Sequence, residues 1–147
     1  MKKFRKYIII VVLCLIVGVF FMINTKSEKK YYTADSSEII SIDVNDNKNK
    51  VNVVLSDDED INVTYYDKKN SKYSISIVDQ VLSISNTSSS DDGNINAAIN
   101  LKNTSLTISV PASFKGTFTA FTFDECNIDD SLNFSSVDVS SLSQLLN

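Results

Sequence analysis

From Ile39 onward, apolar and polar residues alternate along the chain with a period of two. Successive side chains of a strand point to opposite faces, so this alternation predicts strands with one buried face and one polar face. The β-branched and aromatic content agrees with strands, and no stretch of residues 31–135 sustains a helical period. The alternating apolar sets are Ile40–Val44, Val51–Leu55, Ile61–Tyr65, Tyr73–Ile77, Leu82–Ile84, Ile99–Leu101 and Leu106–Val110.

Short polar segments separate these sets and are predicted to be turns. They read NDNKNK, SDDED, DKKNS and DQ, in a chain with only three glycines and one proline. Asn and Asp side chains hydrogen-bond to their own backbone and tolerate left-handed conformations, so they can replace Gly and Pro in turns.

After Pro111 the apolar runs become shorter, as in NIDDSLNF and SSVDVSS. Isolated apolar residues between small polar ones are typical of successive coils of a β-solenoid. The predicted fold class is therefore all-β, a short β-solenoid or β-sandwich-like domain over residues 38–147. The final SSLSQLLN places Leu142, Leu145 and Leu146 at helical spacing, either as a short helix that covers the end of the stack or as a frayed tail.

The other end of the chain predicts a membrane anchor. Tyr7–Ile23 is apolar throughout and lies between Lys6 and Lys26. As a helix it would be about 26 Å long, close to the roughly 30 Å thickness of a bilayer's hydrocarbon core. The segment is too long for a cleaved signal peptide, and Cys14 lacks a lipoprotein-type context. The predicted organisation is a cytoplasmic basic tail (1–6), a transmembrane helix (7–24) in contact with membrane lipid, a linker (25–37) and an extracytoplasmic domain.

Charge is distributed unevenly about this anchor. Residues 1–30 carry seven basic residues and one acidic residue, a net charge of +6, whereas residues 31–147 carry seven lysines and 17 acidic residues, a net charge of −10. The acidic part would be repelled by phosphate backbones, so no nucleic-acid partner is expected. A cationic peptide would instead be attracted.

Composition excludes most familiar catalytic chemistry. The chain has no histidine, two cysteines and three scattered glycines, which excludes His-based catalysis, a four-cysteine zinc site and a P-loop. No cofactor is expected. Cys126, separated from Cys14 by the predicted membrane, is interpreted as a small buried hydrophobe.

Three groups of residues remain as candidates for a site. The densest is the acidic run Asp57, Asp58, Glu59 and Asp60, which lacks EF-hand spacing; a solvated turn that offers an acidic partner surface is favoured over a calcium site. Carboxylates near the C-terminus could serve a polysaccharide hydrolase: Asp124, Glu125, Asp129 and Asp130. Tyrosines could form an adhesive patch, with Tyr66 the most exposed of Tyr31, Tyr32, Tyr65, Tyr66 and Tyr73.

Several segments together resemble the DUF4097 (putative adhesin) family. They are IISIDV, KVNVVLSDDEDINVTYY, YSISIVDQVLSIS and SLTISVPASFKGTFTAFTFD, which span about residues 38–125. The resemblance implies a β-strand-repeat domain, which often follows a single membrane helix and in some cases belongs to cell-envelope stress operons. It implies no catalytic residues. Family members typically continue for longer after the Val-Pro strand, with more Gly-containing turns.

The hypothesis favoured by the sequence is a non-enzymatic, membrane-anchored envelope protein that binds or senses a partner. That partner would be another membrane protein, a cell-wall polymer or a cationic peptide. The alternative is a structural spacer that self-associates through a sheet or solenoid edge, and a polysaccharide hydrolase is the least favoured.

Overall fold

The computed structural model describes residues 27–46, 48–68, 71–88, 105–122 and 125–141. These ranges contain ten strands and one 3-10 turn, Ser36–Glu38, so the predicted all-β class is confirmed. The strands are β1 (Glu28–Ala34), β2 (Ser41–Asp46), β3 (Lys50–Ser56), β4 (Ile61–Asp67), β5 (Ser71–Val78), β6 (Val81–Ser88), β7 (Ser105–Pro111), β8 (Thr117–Thr122), β9 (Cys126–Ile128) and β10 (Ser136–Ser141).

Three predicted regions lie outside these ranges: the basic tail and membrane helix over residues 1–24, the apolar set Ile99–Leu101, and the terminal leucines Leu142, Leu145 and Leu146. Among the residues that the structure does describe, no helix has the length and apolar character needed to cross a membrane.

The strands form two five-stranded sheets that enclose one hydrophobic core. Sheet A has the order β1-β4-β7-β3-β9, and sheet B has the order β10-β8-β2-β6-β5. Buried side chains from both sheets belong to one cluster, in which Phe118 is the largest fully buried residue. Each sheet therefore has one face on the core and one face available to solvent.

The centre of the two sheets is a parallel stack. Consecutive strands β2 and β3 lie in sheets B and A, and so do β8 and β9, which stack on them in parallel register. Strands β6 and β7 stack in parallel on the opposite side, and β10 adds a further strand beyond β8. Parallel neighbours need no helical crossover here, because the connecting chain passes through the other sheet. The segments after Pro111 contribute β8, β9 and β10 to this stack.

Most predicted inward positions are buried, and the exceptions lie at strand ends or at sheet edges. Ile42, Val44, Leu106 and Ile108 are at most 4% exposed. Ile40 is 55% exposed because it precedes β2 and lies outside the region that both sheets cover. Ile77, on the edge strand β5, and Leu55, beyond the residues that pair with β9, are also exposed.

The predicted linker over residues 25–37 is wrong in its central part. Strand β1 occupies Glu28–Ala34 and pairs antiparallel with β4 along all seven residues. Tyr32 and Ala34 form a short inward set in which Ala34 is buried. An edge strand is held mainly by backbone pairing and can keep polar side chains on its outer face, so it needs little apolar periodicity.

The predicted use of Asp in turns is confirmed. Asp35, Asp46 and Asp129 each accept a hydrogen bond from the backbone N–H two residues later. At the β5–β6 hairpin, Asp79 and Gln80 both have positive φ, at 50° and 65°. This is the conformation of a two-residue type I′ turn, which normally favours Asn and Gly.

Candidate functional site

The acidic run forms the exposed turn between β3 and β4. Asp57, Asp58, Glu59 and Asp60 are all exposed. Strand β3 ends at Ser56 and β4 begins at Ile61, so the two strands present the four side chains at one end of sheet A.

Hydrogen bonds hold this acidic turn in place. The Asp58 N–H donates to Ser56 Oγ over 3.1 Å, and Asn62 Nδ2 donates to Asp58 Oδ2 over 3.2 Å. Ser36 Oγ donates to the Glu59 carbonyl oxygen over 2.6 Å. These contacts leave the side chains of Asp57, Glu59 and Asp60 directed to solvent.

No lysine forms an ion pair with the acidic turn within the part of the chain that the structure describes. The ion pairs there join Lys30 to Glu28 and Asp67, and Lys50 to Glu125, and none involves the turn. Nor do three or more Asp, Glu, Cys or His side chains of the described ranges converge in a way that could hold a metal ion. The geometry suits attraction of a cationic partner better than chelation of calcium.

The tyrosines divide between the core and one exposed corner of sheet A. Tyr32, Tyr65 and Tyr73 pack against the core, and the rings of Tyr65 and Tyr73 lie 5.3 Å apart. Tyr31, which is 69% exposed, is more exposed than Tyr66, contrary to the prediction. The reason is the position of Tyr31 on β1, which is an edge strand of the sheet that the described residues form. The Lys29 ammonium lies 5.1 Å from the centre of the Tyr31 ring, a cation–π arrangement.

The structure describes three of the carboxylates proposed for a hydrolase, Glu125, Asp129 and Asp130, and all three are exposed. Hydrogen bonds from the Ser131 side chain and backbone lower the pKa of Asp129. A general acid needs the opposite shift. Glu125 is exposed and forms an ion pair with Lys50 over 3.5 Å. Asp124 lies outside the described residues.

Cys126 is half-buried on β9 and packs against the core. Burial raises the pKa of its thiol to about 11. Because the thiolate is the reactive form, this side chain is a poor nucleophile at neutral pH. The position supports its interpretation as a small hydrophobe.

The sequence did not reveal a buried polar cluster that connects the β2–β3 turn to sheet B. The Asp46 carboxylate is fully buried and accepts hydrogen bonds from the Lys48 and Asn49 backbone N–H groups, each over 3.0 Å. The Tyr73 hydroxyl also donates to Asp46. Burial, followed by the negative charge of Asp46, raises the pKa of Tyr73 far above its usual range, so the phenol keeps the proton that it donates.

A second polar cluster, centred on Asp67 at the end of β4, connects the edge strand β1 to β5. Asp67 accepts from Lys30 Nζ over 2.9 Å and from the Tyr73 N–H over 2.9 Å. Burial alone would raise the pKa of Asp67, but these two donors outweigh it and lower that pKa. The contacts of Asp46 and Asp67 are structural, because they satisfy buried polar groups within the domain.

Comparisons with known proteins identify the fold. A search of solved structures finds a "putative cell adhesion protein" from Clostridium sporogenes with a TM-score of 0.54 and 13% sequence identity, covering 78% of this chain and 57% of that chain. A "putative adhesin" from Parabacteroides merdae has a TM-score of 0.42 and 17% identity, covering 76% of this chain and 44% of that one. The chain thus spans about half the length of these structures.

No family model matches the sequence, and no curated protein matches it. The likeness to the Clostridium protein therefore shows a shared fold. The resemblance to the DUF4097 family stays a prediction.

Proposed function

We propose that this chain is a non-enzymatic, single-pass membrane-anchored domain that faces the outside of the cell and binds or senses a cationic partner. The observation that carries the proposal is the acidic turn, which is exposed, held by hydrogen bonds and free of ion pairs with the described residues. The net charge of −10 over residues 31–147 adds a longer-range attraction for a cationic partner. The name of the Clostridium neighbour, a "putative cell adhesion protein", is compatible with a binding role.

Neutralising the acidic turn is expected to weaken binding of a cationic probe. In the full chain, the triple variant Asp57→Asn, Glu59→Gln and Asp60→Asn removes three charges and leaves the Asp58 hydrogen bonds in place. At low salt we expect about tenfold weaker binding of an oligolysine peptide, because each exposed charge contributes a few tenths of a kcal/mol. Fluorescence anisotropy with a labelled peptide measures the effect, which should shrink as salt is added.

A matched control separates location from total charge. The triple variant Asp79→Asn, Glu125→Gln and Asp130→Asn removes the same charge from exposed positions elsewhere. An equal loss of affinity in both variants, or no loss in the turn variant, contradicts the role proposed for the turn.

Among the described residues, β10 forms an edge of sheet B, and this edge supports a second candidate function, a self-associating spacer. Val137 on β10 stands opposite Phe118, at an inward register position, yet it is 49% exposed. An unpaired strand edge beside an uncovered apolar residue can pair with another chain. If the spacer hypothesis holds, sedimentation of the full chain will show larger species at higher concentration, and Val137→Lys will abolish them. A chain that is monomeric at every concentration would eliminate this candidate.

A further inference from the structure

The outer face of sheet B carries a groove that neither the acidic turn nor the core explains. Four adjacent strands, β6, β2, β8 and β10, line it, and its volume is about 320 Å³. That size lies at the lower end of the range for small-ligand sites. The outward side chains that line it are Asp43, Asn45, Ser83, Ser85, Thr119, Phe121, Asp138 and Ser140.

Strand register arranges these side chains in two rows across the sheet. One row runs Ser83, Asp43, Thr119, Asp138, and the row beside it runs Ser85, Asn45, Phe121, Ser140. Neighbouring strands lie about 4.8 Å apart, so hydroxyl, amide and carboxylate groups repeat at that spacing along each row. Asp43 and Asp138 are separated by one intervening strand and therefore stand about 10 Å apart.

The polar groups of the two rows have no side-chain partner within the described part of the chain. Side-chain hydrogen bonds and ion pairs there engage other residues, whereas the side chains of Asp43, Asn45, Thr119 and Asp138 take part in none. A nearby pair on the same face behaves differently, since Thr117 Oγ1 donates to Ser41 Oγ over 2.8 Å. The groove thus presents hydrogen-bonding groups that are free to meet a ligand.

Phe121 is the one large apolar side chain among the outward residues of the groove. Phe118 and Thr122 of the same strand are buried in the core. The Phe121 side chain instead lies on the outer face of the sheet and is half-buried. It stands between Asn45 on one strand and Ser140 on the other. An aromatic ring beside hydrogen-bonding groups offers a platform for a ligand that has both apolar and polar surfaces.

We propose that this groove binds a neutral glycan, with one sugar ring on Phe121 and its hydroxyls bonded to Asp43, Asn45 and Asp138. A pyranose has an apolar C–H face and a rim of hydroxyl donors, which the ring, the amide and the carboxylates complement. The two carboxylates repel an anionic polymer, so the site selects neutral sugars. This site is on the opposite sheet from the acidic turn, and it stands whether or not a cationic partner binds there.

Removing the aromatic platform tests the proposal. Isothermal titration of the full chain with a soluble chitooligosaccharide should show binding, and Phe121→Ala should weaken it about tenfold. Phe121→Tyr should keep the affinity, because it keeps the ring. Circular dichroism and the thermal midpoint of each variant should match those of the original chain, since the altered side chain lies on the outer face.

Two further comparisons make the result specific. The control Tyr31→Ala removes an exposed aromatic residue from sheet A and should leave glycan affinity unchanged, as should the neutralised acidic turn. A hyaluronan oligosaccharide of the same length, which is anionic, should bind at least tenfold more weakly than the neutral probe. The double variant Asp43→Asn, Asp138→Asn should reduce this difference in affinity between the anionic and the neutral probe.

Three outcomes overturn the inference: no binding of the neutral probe or of a cellooligosaccharide, equal affinity in Phe121→Ala, or equal affinity for the neutral and anionic probes. Loss of oligolysine binding in the double variant would instead assign the two carboxylates to a cationic peptide. Failure of the glycan-binding test would not contradict the role proposed for the acidic turn. Failure of the turn variant to weaken oligolysine binding would not contradict the proposal for the groove.

Discussion

Replacing Gly116 with alanine is expected to destabilise the domain by about 3 kcal/mol, because the added methyl group has no room. A Cβ at this position would lie 2.4 Å from the Ile40 carbonyl oxygen and 2.3 Å from Phe114 Cζ. Phe114 is buried and packs edge-on against Phe134, so its ring has little freedom to move.

The backbone around Ile40 is equally constrained. The Ile40 N–H donates to the Gln80 carbonyl over 2.9 Å, and the Ile40 carbonyl accepts from the Thr117 N–H over 3.0 Å. Relief of the clash would therefore break contacts that connect β2, the β5–β6 hairpin and β8.

Chemical denaturation of the full chain measures this effect. Lys115→Ala is the matched control, because the neighbouring side chain is exposed and its loss should change the free energy of unfolding by less than about 0.5 kcal/mol. Equal midpoints for Gly116→Ala and Lys115→Ala would show that the chain between Phe114 and Thr117 can shift without cost.

Asp46→Ala is expected to destabilise the domain by about 3 kcal/mol. The substitution removes a fully buried acceptor and leaves the Tyr73 hydroxyl and two turn N–H groups without it. Asp43→Ala, three residues earlier on the same strand but exposed, is the control and should cost less than about 0.5 kcal/mol.

A double-mutant cycle tests whether Asp46 acts through Tyr73. Tyr73→Phe keeps the ring and removes the hydroxyl, so Asp46→Ala and Tyr73→Phe together should cost less than the sum of the single changes. Strict additivity would show that the contact between the two side chains contributes nothing to stability. The free energy of unfolding of Asp46→Asn, compared with that of Asp46→Ala, shows how much stability one side-chain acceptor oxygen restores.

The strands of the core could be predicted from the sequence because their alternation follows from local geometry. Each of Ile42, Val63 and Ile108 is buried in phase with its apolar neighbours. Strand β1 was missed because an edge strand needs little apolar periodicity, and its alternation is limited to Tyr32 and Ala34.

The candidate sites were predictable to different extents. The exposed acidic turn follows from four consecutive acidic residues between two apolar runs. The buried Asp46 cluster could not be predicted, because Asp46 and Tyr73 are 27 residues apart. The groove on sheet B was also hidden, since its rows join residues from β6, β2, β8 and β10, which only strand pairing brings side by side.

The sequence by itself determined that residues 38–141, where the structure describes them, form an all-β domain with Asp-based turns and an acidic turn after β3, because side-chain alternation and turn chemistry act over a few residues. Only the tertiary structure decided the order of strands, the inclusion of β1, the close approach at Gly116 and the polar rows beside Phe121. Those features depend on pairings between residues far apart along the chain, and alternation along a strand carries no information about which strand will be its neighbour.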